Sequence, residues 1–166
     1  MLRKIVIFFA VFMVGMIASE EFSLLDFETI ESSHQEINGD LSIISTDNTN
    51  DVIPHPPVHY EMVQPLRSVN GILHYAIGAR RSSDRLVASG GQNQSWPQPH
   101  NVQIQLTYPS QGYGALVTYV AIVVNQTSSL GQAYVVKGGI NQHQITIVVE
   151  AYNTNVFNVF AYVYGI

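Results

Sequence analysis

The sequence predicts an all-β domain, an antiparallel β-sandwich of about six or seven strands over residues 70–166. Three observations predict it. Beyond Gly71 the apolar residues recur with a period of two, the apolar runs are rich in Val, Ile and Tyr, and Gly and Asn clusters stand between them.

Leu73 to Ile77 reads as a first strand and Asp84 to Ala88 as a second. Asn101 to Tyr108 alternates strictly, sending Val102, Ile104, Leu106 and Tyr108 to one face and polar side chains to the other, the pattern of a half-buried strand. Ala115 to Val124 is apolar on both faces and β-branched, which places it centrally with cover on two sides; a buried helix is the competing reading of such a run. Ala133 to Val136, Gln144 to Ala151 and Val156 to Tyr164 complete the series. Gly138-Gly139 and Asn153-Thr154-Asn155 separate them as turn formers that tolerate positive φ, and Gly90-Gly91 also reads as a turn. Glu150 falls mid-strand, on an outward face.

What precedes the domain differs in kind. Met1-Leu2-Arg3-Lys4, an apolar run from Ile5 to Ile17, and then Ala18-Ser19-Glu20-Glu21 come in the order of a secretory signal peptide over residues 1–19, cleaved near Ala18 or Ser19. A membrane span is the alternative, but the apolar run stops short of the roughly 20 residues that crossing requires. Residues 20–69 read first as an acidic tail, with Glu20 to Asp51 free of Lys and Arg, and then as an extended linker carrying Pro54, Pro56, Pro57 and Pro65. From Val52 onward five basic residues face three acidic ones, a net of +2, so the formal charge of −5 belongs to the leader and tail.

The whole chain is 46% hydrophobic and 11% charged, against roughly a quarter charged in typical domains, which argues for one packed domain with a weakly charged surface. It contains no cysteine, so disulfides, thiol catalysis and cysteine metal sites are all excluded. Asn93-Gln94-Ser95 and Asn125-Gln126-Thr127 are N-glycosylation sequons, meaningful once the chain enters the secretory pathway.

Ile77-Gly78, Ser83-Asp84-Arg85-Leu86, Thr107-Tyr108-Pro109-Ser110, Val136-Lys137-Gly138-Gly139-Ile140 leading into Gln144 to Val149, and the terminal Tyr164-Gly165 occur in an order that resembles the insect multiprotein bridging factor two family. The resemblance covers Leu73 to Gly165. It implies either a transcription co-activator, after which the family is named, or a small secreted protein, as salivary members are described. It supplies no catalytic residues, and the acidic, proline-bearing stretch ahead of the domain is not part of it.

Candidate sites are few. His55 and His59 stand four apart with Glu61 nearby, but Pro56 and Pro57 oppose the helix that would make them joint metal ligands, so they read as solvated linker residues. Acid–base catalysis would have to pair His74, His100 or His143 with Glu61, Asp84 or Glu150, and there is no G-x-S-x-G elbow. Gly90-Gly91 and Gly138-Gly139 lack the flanking pattern of a nucleotide loop. Arg80, Arg81 and Arg85 form the one basic cluster, too small for nucleic-acid affinity. Phe160, Tyr162 and Tyr164 alternate along the last strand and share a face, which is core if covered and an aromatic contact surface if not. These residues predict a secreted, non-enzymatic interaction protein with no cofactor, no metal, no membrane span in the mature form and no direct contact with nucleic acid. Its partner is an unknown protein or a small apolar ligand, the latter requiring an apolar cavity. The alternative is a co-activator acting through protein partners, favoured by the acidic residues interleaved with Phe22, Leu24, Leu25, Phe27 and Ile30.

Overall fold

The computed structural model describes residues 40–47, 61–63, 65–69 and 72–166. The expected signal peptide, most of the acidic segment, and His55 and His59 lie outside them. Eight strands form one antiparallel, hydrogen-bonded sheet: β1 (Ser42–Asp47), β2 (Glu61–Val63), β3 (Pro65–Val69), β4 (Ile72–Gly78), β5 (Arg85–Tyr108), β6 (Val117–Gln126), β7 (Gly131–Gly138) and β8 (Ile145–Gly165). Six follow the order β1-β5-β8-β6-β4-β3, and β7 pairs with the first part of β8 and carries β2 on its other edge.

The all-β, antiparallel class is as expected, but several elements differ from the sequence reading. Strands expected at 84–88 and 101–108 are the two ends of β5, and those expected at 144–151 and 156–164 are the two ends of β8. Pro97 and Pro99 lack the amide hydrogen a ladder needs, and the β5–β8 register shifts between Ser95 and Val102, where the strand bends and resumes. Asn153 adopts φ +55, a left-handed conformation Asn tolerates, opposite that bend, and its amide donates to Asn101 Oδ1 at 3.1 Å. Gly90-Gly91 is not a turn: both residues sit inside β5, with Gly90 backing onto Leu41 and Ile43 and Gly91 lying under Phe160. Gly138-Gly139 is the turn expected, with φ +69 and +152. The sheet also begins before Asn70: β1 comes from the acidic segment itself, and β2 and β3 come from the proline-bearing stretch that follows it.

The two bends divide the sheet into halves that share one core. Val102, Ile104, Leu106, Ile145, Ile147 and Val149 face inward from one half, and Val120, Ile122, Val124, Phe157, Val159 and Val163 from the other. Residues of both halves, among them Leu41, Tyr108, Ile145, Val120 and Ala161, line an apolar cavity of about 10 Å³, enough for one water at most. At roughly 1.5–3 kcal/mol for each fully buried Val, Ile or Phe, this shared interior is the main stabilising term in a chain without disulfides. β6 lies between β4 and β8 and is buried on both faces along nearly its whole length, which accounts for the β-branched run at 117–124.

Candidate functional site

Register decides which side chains meet on the outer surface of the β5–β8–β6–β4 half. Phe160 pairs with Gly91 on β5 and Val123 on β6; Tyr162 pairs with Ser89 and Ala121; Tyr164 pairs with Leu86 and Tyr119. The three aromatic residues expected on one face therefore do share it, flanked by small or aliphatic neighbours except for Tyr119 beside Tyr164. Their exposure is graded. Phe160 is 44% exposed, Tyr162 is half-buried and Tyr164 is 8% exposed.

Each grade has a physical cause. A Cβ at Gly91 would lie 2.7 Å from Phe160 Cε1, so the ring rests directly on the glycine backbone and stays at the surface. The Arg80 guanidinium sits 3.7 Å above the Tyr164 ring centroid, and the Tyr119 ring packs beside it at 6.0 Å. Arg80 is in turn held 3.5 Å from the carboxylate of Asp84, whose side chain is wholly buried. Thr118 Oγ1 donates to Asp84 Oδ1 at 2.8 Å and lies 3.1 Å from the Tyr164 carbonyl, and the Arg81 amide donates to Asp84 Oδ2 at 2.5 Å.

The motif residues that carry the family resemblance gather at that end of the sheet. Gly78 has φ +83, and any Cβ there would overlap the Thr118 carbonyl and stand 2.7 Å from Ile140 Cδ1. Leu116 and Ile166 exchange backbone hydrogen bonds across the final strand, and Gly165 presses against the Leu116 carbonyl. Tyr108 OH accepts from the Ala115 amide at 2.8 Å, while Ser110 bonds Asp40 through both side chain and backbone. Every one of these contacts fixes the fold.

The second polar centre lies on the outer surface of the other half. Glu150 points outward, as its place in the strand predicts, yet it is 1% exposed. Oε1 accepts from Gln103 Nε2 at 2.9 Å and Tyr134 OH at 2.8 Å, and Oε2 from Gln132 Nε2 at 2.6 Å and Tyr152 OH at 2.5 Å. Burial raises its pKa, but the four hydrogen bonds outweigh burial and hold it below the ordinary carboxylate value. Burial and the same carboxylate push the hydroxyls of Tyr134 and Tyr152 well above the usual tyrosine range. A carboxylate with its lone pairs filled by four donors is a poor base and a poor metal ligand, and it locks β5, β7 and β8 in register.

The remaining sequence candidates are dispersed. His100 stacks on Trp96 at the bend and its Nδ1 donates to the Gln98 carbonyl; His143 stacks on Tyr113 and donates to the Gly114 carbonyl; His74 sits mid-β4. Among the described residues no group of three His, Asp or Glu side chains is placed to hold a metal ion. The three arginines split up, with Arg80 on Tyr164, Arg81 Nη2 donating to Asn141 Oδ1 at 2.7 Å, and Arg85 exposed. Sequon residues Asn93 and Asn125 are both exposed, on β5 and β6. Sequence reasoning missed the Gly91 platform, the burial of Glu150 and the cover over Tyr164. All three depend on contacts between residues remote in sequence, and the only local signal was a glycine pair lying too far from any turn.

A family model described as transcription activator MBF2 matches residues 77–165. No curated protein and no solved structure matches the chain.

Proposed function

Since the chain belongs to the transcription activator MBF2 family, with the match spanning more than half of its length, we propose that it acts by binding a partner rather than by catalysis, as a protein exported from the cell. The observation that carries this reading is the outer face of β8, where Phe160 stands 44% exposed beside Tyr162 on a strand hydrogen-bonded to a neighbour on each side. An aromatic ring held rigidly at the surface gives contact area at little entropic cost. Tyr164, fastened beneath Arg80, supports the face. The two buried carboxylates, Asp84 and Glu150, are fully engaged by their own neighbours, which also favours binding over acid–base chemistry. An exposed aromatic face of this kind suits a protein surface as partner, and the folded-over sheet serves as a sandwich-like scaffold.

Export is supported by the charge, apolar run and small residues at Met1 to Ser19, and by two sequons on exposed positions. The family description favours a second reading, a co-activator working through protein partners, to which the acidic and apolar interleaving at 20–31 also lends support. The compartment separates the two. Full-length chain is expressed in insect cells and medium and lysate are analysed by intact mass. A form in the medium beginning at Ser19 or Glu20 supports export; a Met1-bearing form confined to the lysate overturns it and leaves the co-activator reading.

A further inference from the structure

We propose that N-glycans on Asn93 and Asn125 stand together beside the Phe160 face and control access to it, an inference that rests on the exported reading and specifies how that contact site is regulated. The two sequons are remote in sequence, but β8 brings them into one row. Asn93 pairs with Asn158, and Asn158 pairs with Asn125, so three asparagines cross the outer face side by side. At about 4.8 Å between adjacent strands, the two attachment points lie roughly 10 Å apart.

Strand parity is what makes both sites usable. Asn93 and Asn125 are exposed, whereas the next residue of each sequon turns inward: Gln94 Nε2 donates to Ser45 Oγ at 2.9 Å, and Gln126 is 3% exposed with Nε2 donating to the Ser128 and Leu130 carbonyls. A shift of one residue would bury both asparagines.

The neighbouring row on the same face is Gly91, Phe160 and Val123, two residues and about 7 Å along the strands. Because Gly91 has no side chain, the Phe160 ring lies over β5, on the Asn93 side. The first sugars of a glycan on Asn93 reach that ring, and the C–H face of a pyranose matches the π face of a phenyl group. A second glycan on Asn125 closes the opposite flank. With both present the aromatic contact surface is screened, and with one or both absent it is open.

The test uses the full-length chain secreted from insect cells. Intact mass and glycopeptide analysis give the occupancy of each sequon on the same molecule. Hydroxyl-radical footprinting then compares wild type, wild type deglycosylated enzymatically in the folded state, and the variant carrying Asn93→Gln and Asn125→Gln. Thr127 is left in place because its hydroxyl bonds Thr154 and the Asn155 amide. Double occupancy is expected, with labelling of Phe160 and Tyr162 rising several-fold once the glycans are gone. Labelling of Tyr113, 80% exposed in the loop before the opposite end of β6, should not change. Secreted protein with either sequon empty, or glycosylated protein whose Phe160 labels as strongly as the deglycosylated form, overturns this inference alone. Protein retained in the cell without glycan overturns it together with the exported reading.

Discussion

Replacing Glu150 with Gln keeps the shape of the side chain and removes its charge, so the variant isolates what the carboxylate does. In the wild type each oxygen receives two donors. An amide offers one oxygen and one NH2, so two of the four donors face another donor. Hydrogen bonds to a charged group are worth about 1.5–3 kcal/mol each and neutral ones about 0.5–1.5 kcal/mol. Gln103, Gln132 and Tyr152 are half-exposed and recover part of the loss by turning to water, whereas Tyr134 is 3% exposed and has little water to turn to. The expected net cost is about 2–4 kcal/mol. For a domain of this size that lowers Tm by roughly 10–20 °C, read by urea and thermal unfolding at pH 7.

The pH dependence has a definite sign. The folded pKa of Glu150 is depressed below its ordinary 4.5, so its contribution is fully present above that value and is lost as pH falls through the folded pKa. The stability gap between wild type and E150Q should be constant near neutrality and close in acid. A gap under about 0.5 kcal/mol at pH 7, or one that does not narrow in acid, would refute the claim that the four bonds stabilise a charged carboxylate.

Other substitutions test other parts of the structure. Gly78→Ala places a side chain at φ +83 against the Thr118 carbonyl and Ile140, and should cost about 2–4 kcal/mol by urea unfolding. Asp84→Asn removes the charge that holds Arg80 over Tyr164, and a loss of about 1–3 kcal/mol is expected, with tyrosine fluorescence reporting the uncovered ring. Compared with a chain begun at Asp40, one begun at Glu61 loses β1 with Leu41 and Ile43 and should be less stable to urea by about 2–4 kcal/mol.

The legible parts of the fold were the local ones. Alternation at 101–108 and the two-sided apolar run in β6 are properties of contiguous residues, and both became strands. The continuity of β5 and β8 was not legible, because Pro97, Pro99 and Asn153 terminate a strand when only neighbours in sequence are considered. Here the partner strand carries the ladder past them. β1 was hidden for a similar reason: Ser42 to Asp47 lies among acidic and polar residues with little apolar content, and its pairing is set by the distant Val102 to Thr107. At the candidate site, Phe160, Tyr162 and Tyr164 were placed on one face by simple parity. Their unequal exposure was invisible, because Gly91 and Arg80 come from other strands and loops.

The long pairing of β5 with β8 also governs how the chain folds. These strands are joined only through β6 and β7, their nearest partners are Tyr108 and Ile145, and their farthest are Arg85 and Gly165. Such non-local closure makes folding slow, on the order of milliseconds to seconds for sheets of this kind. It also means that neither half of the sheet has a spine of its own. Backbone amides on opposite halves should therefore exchange with solvent through one common opening, at a single free energy, rather than as two separable units.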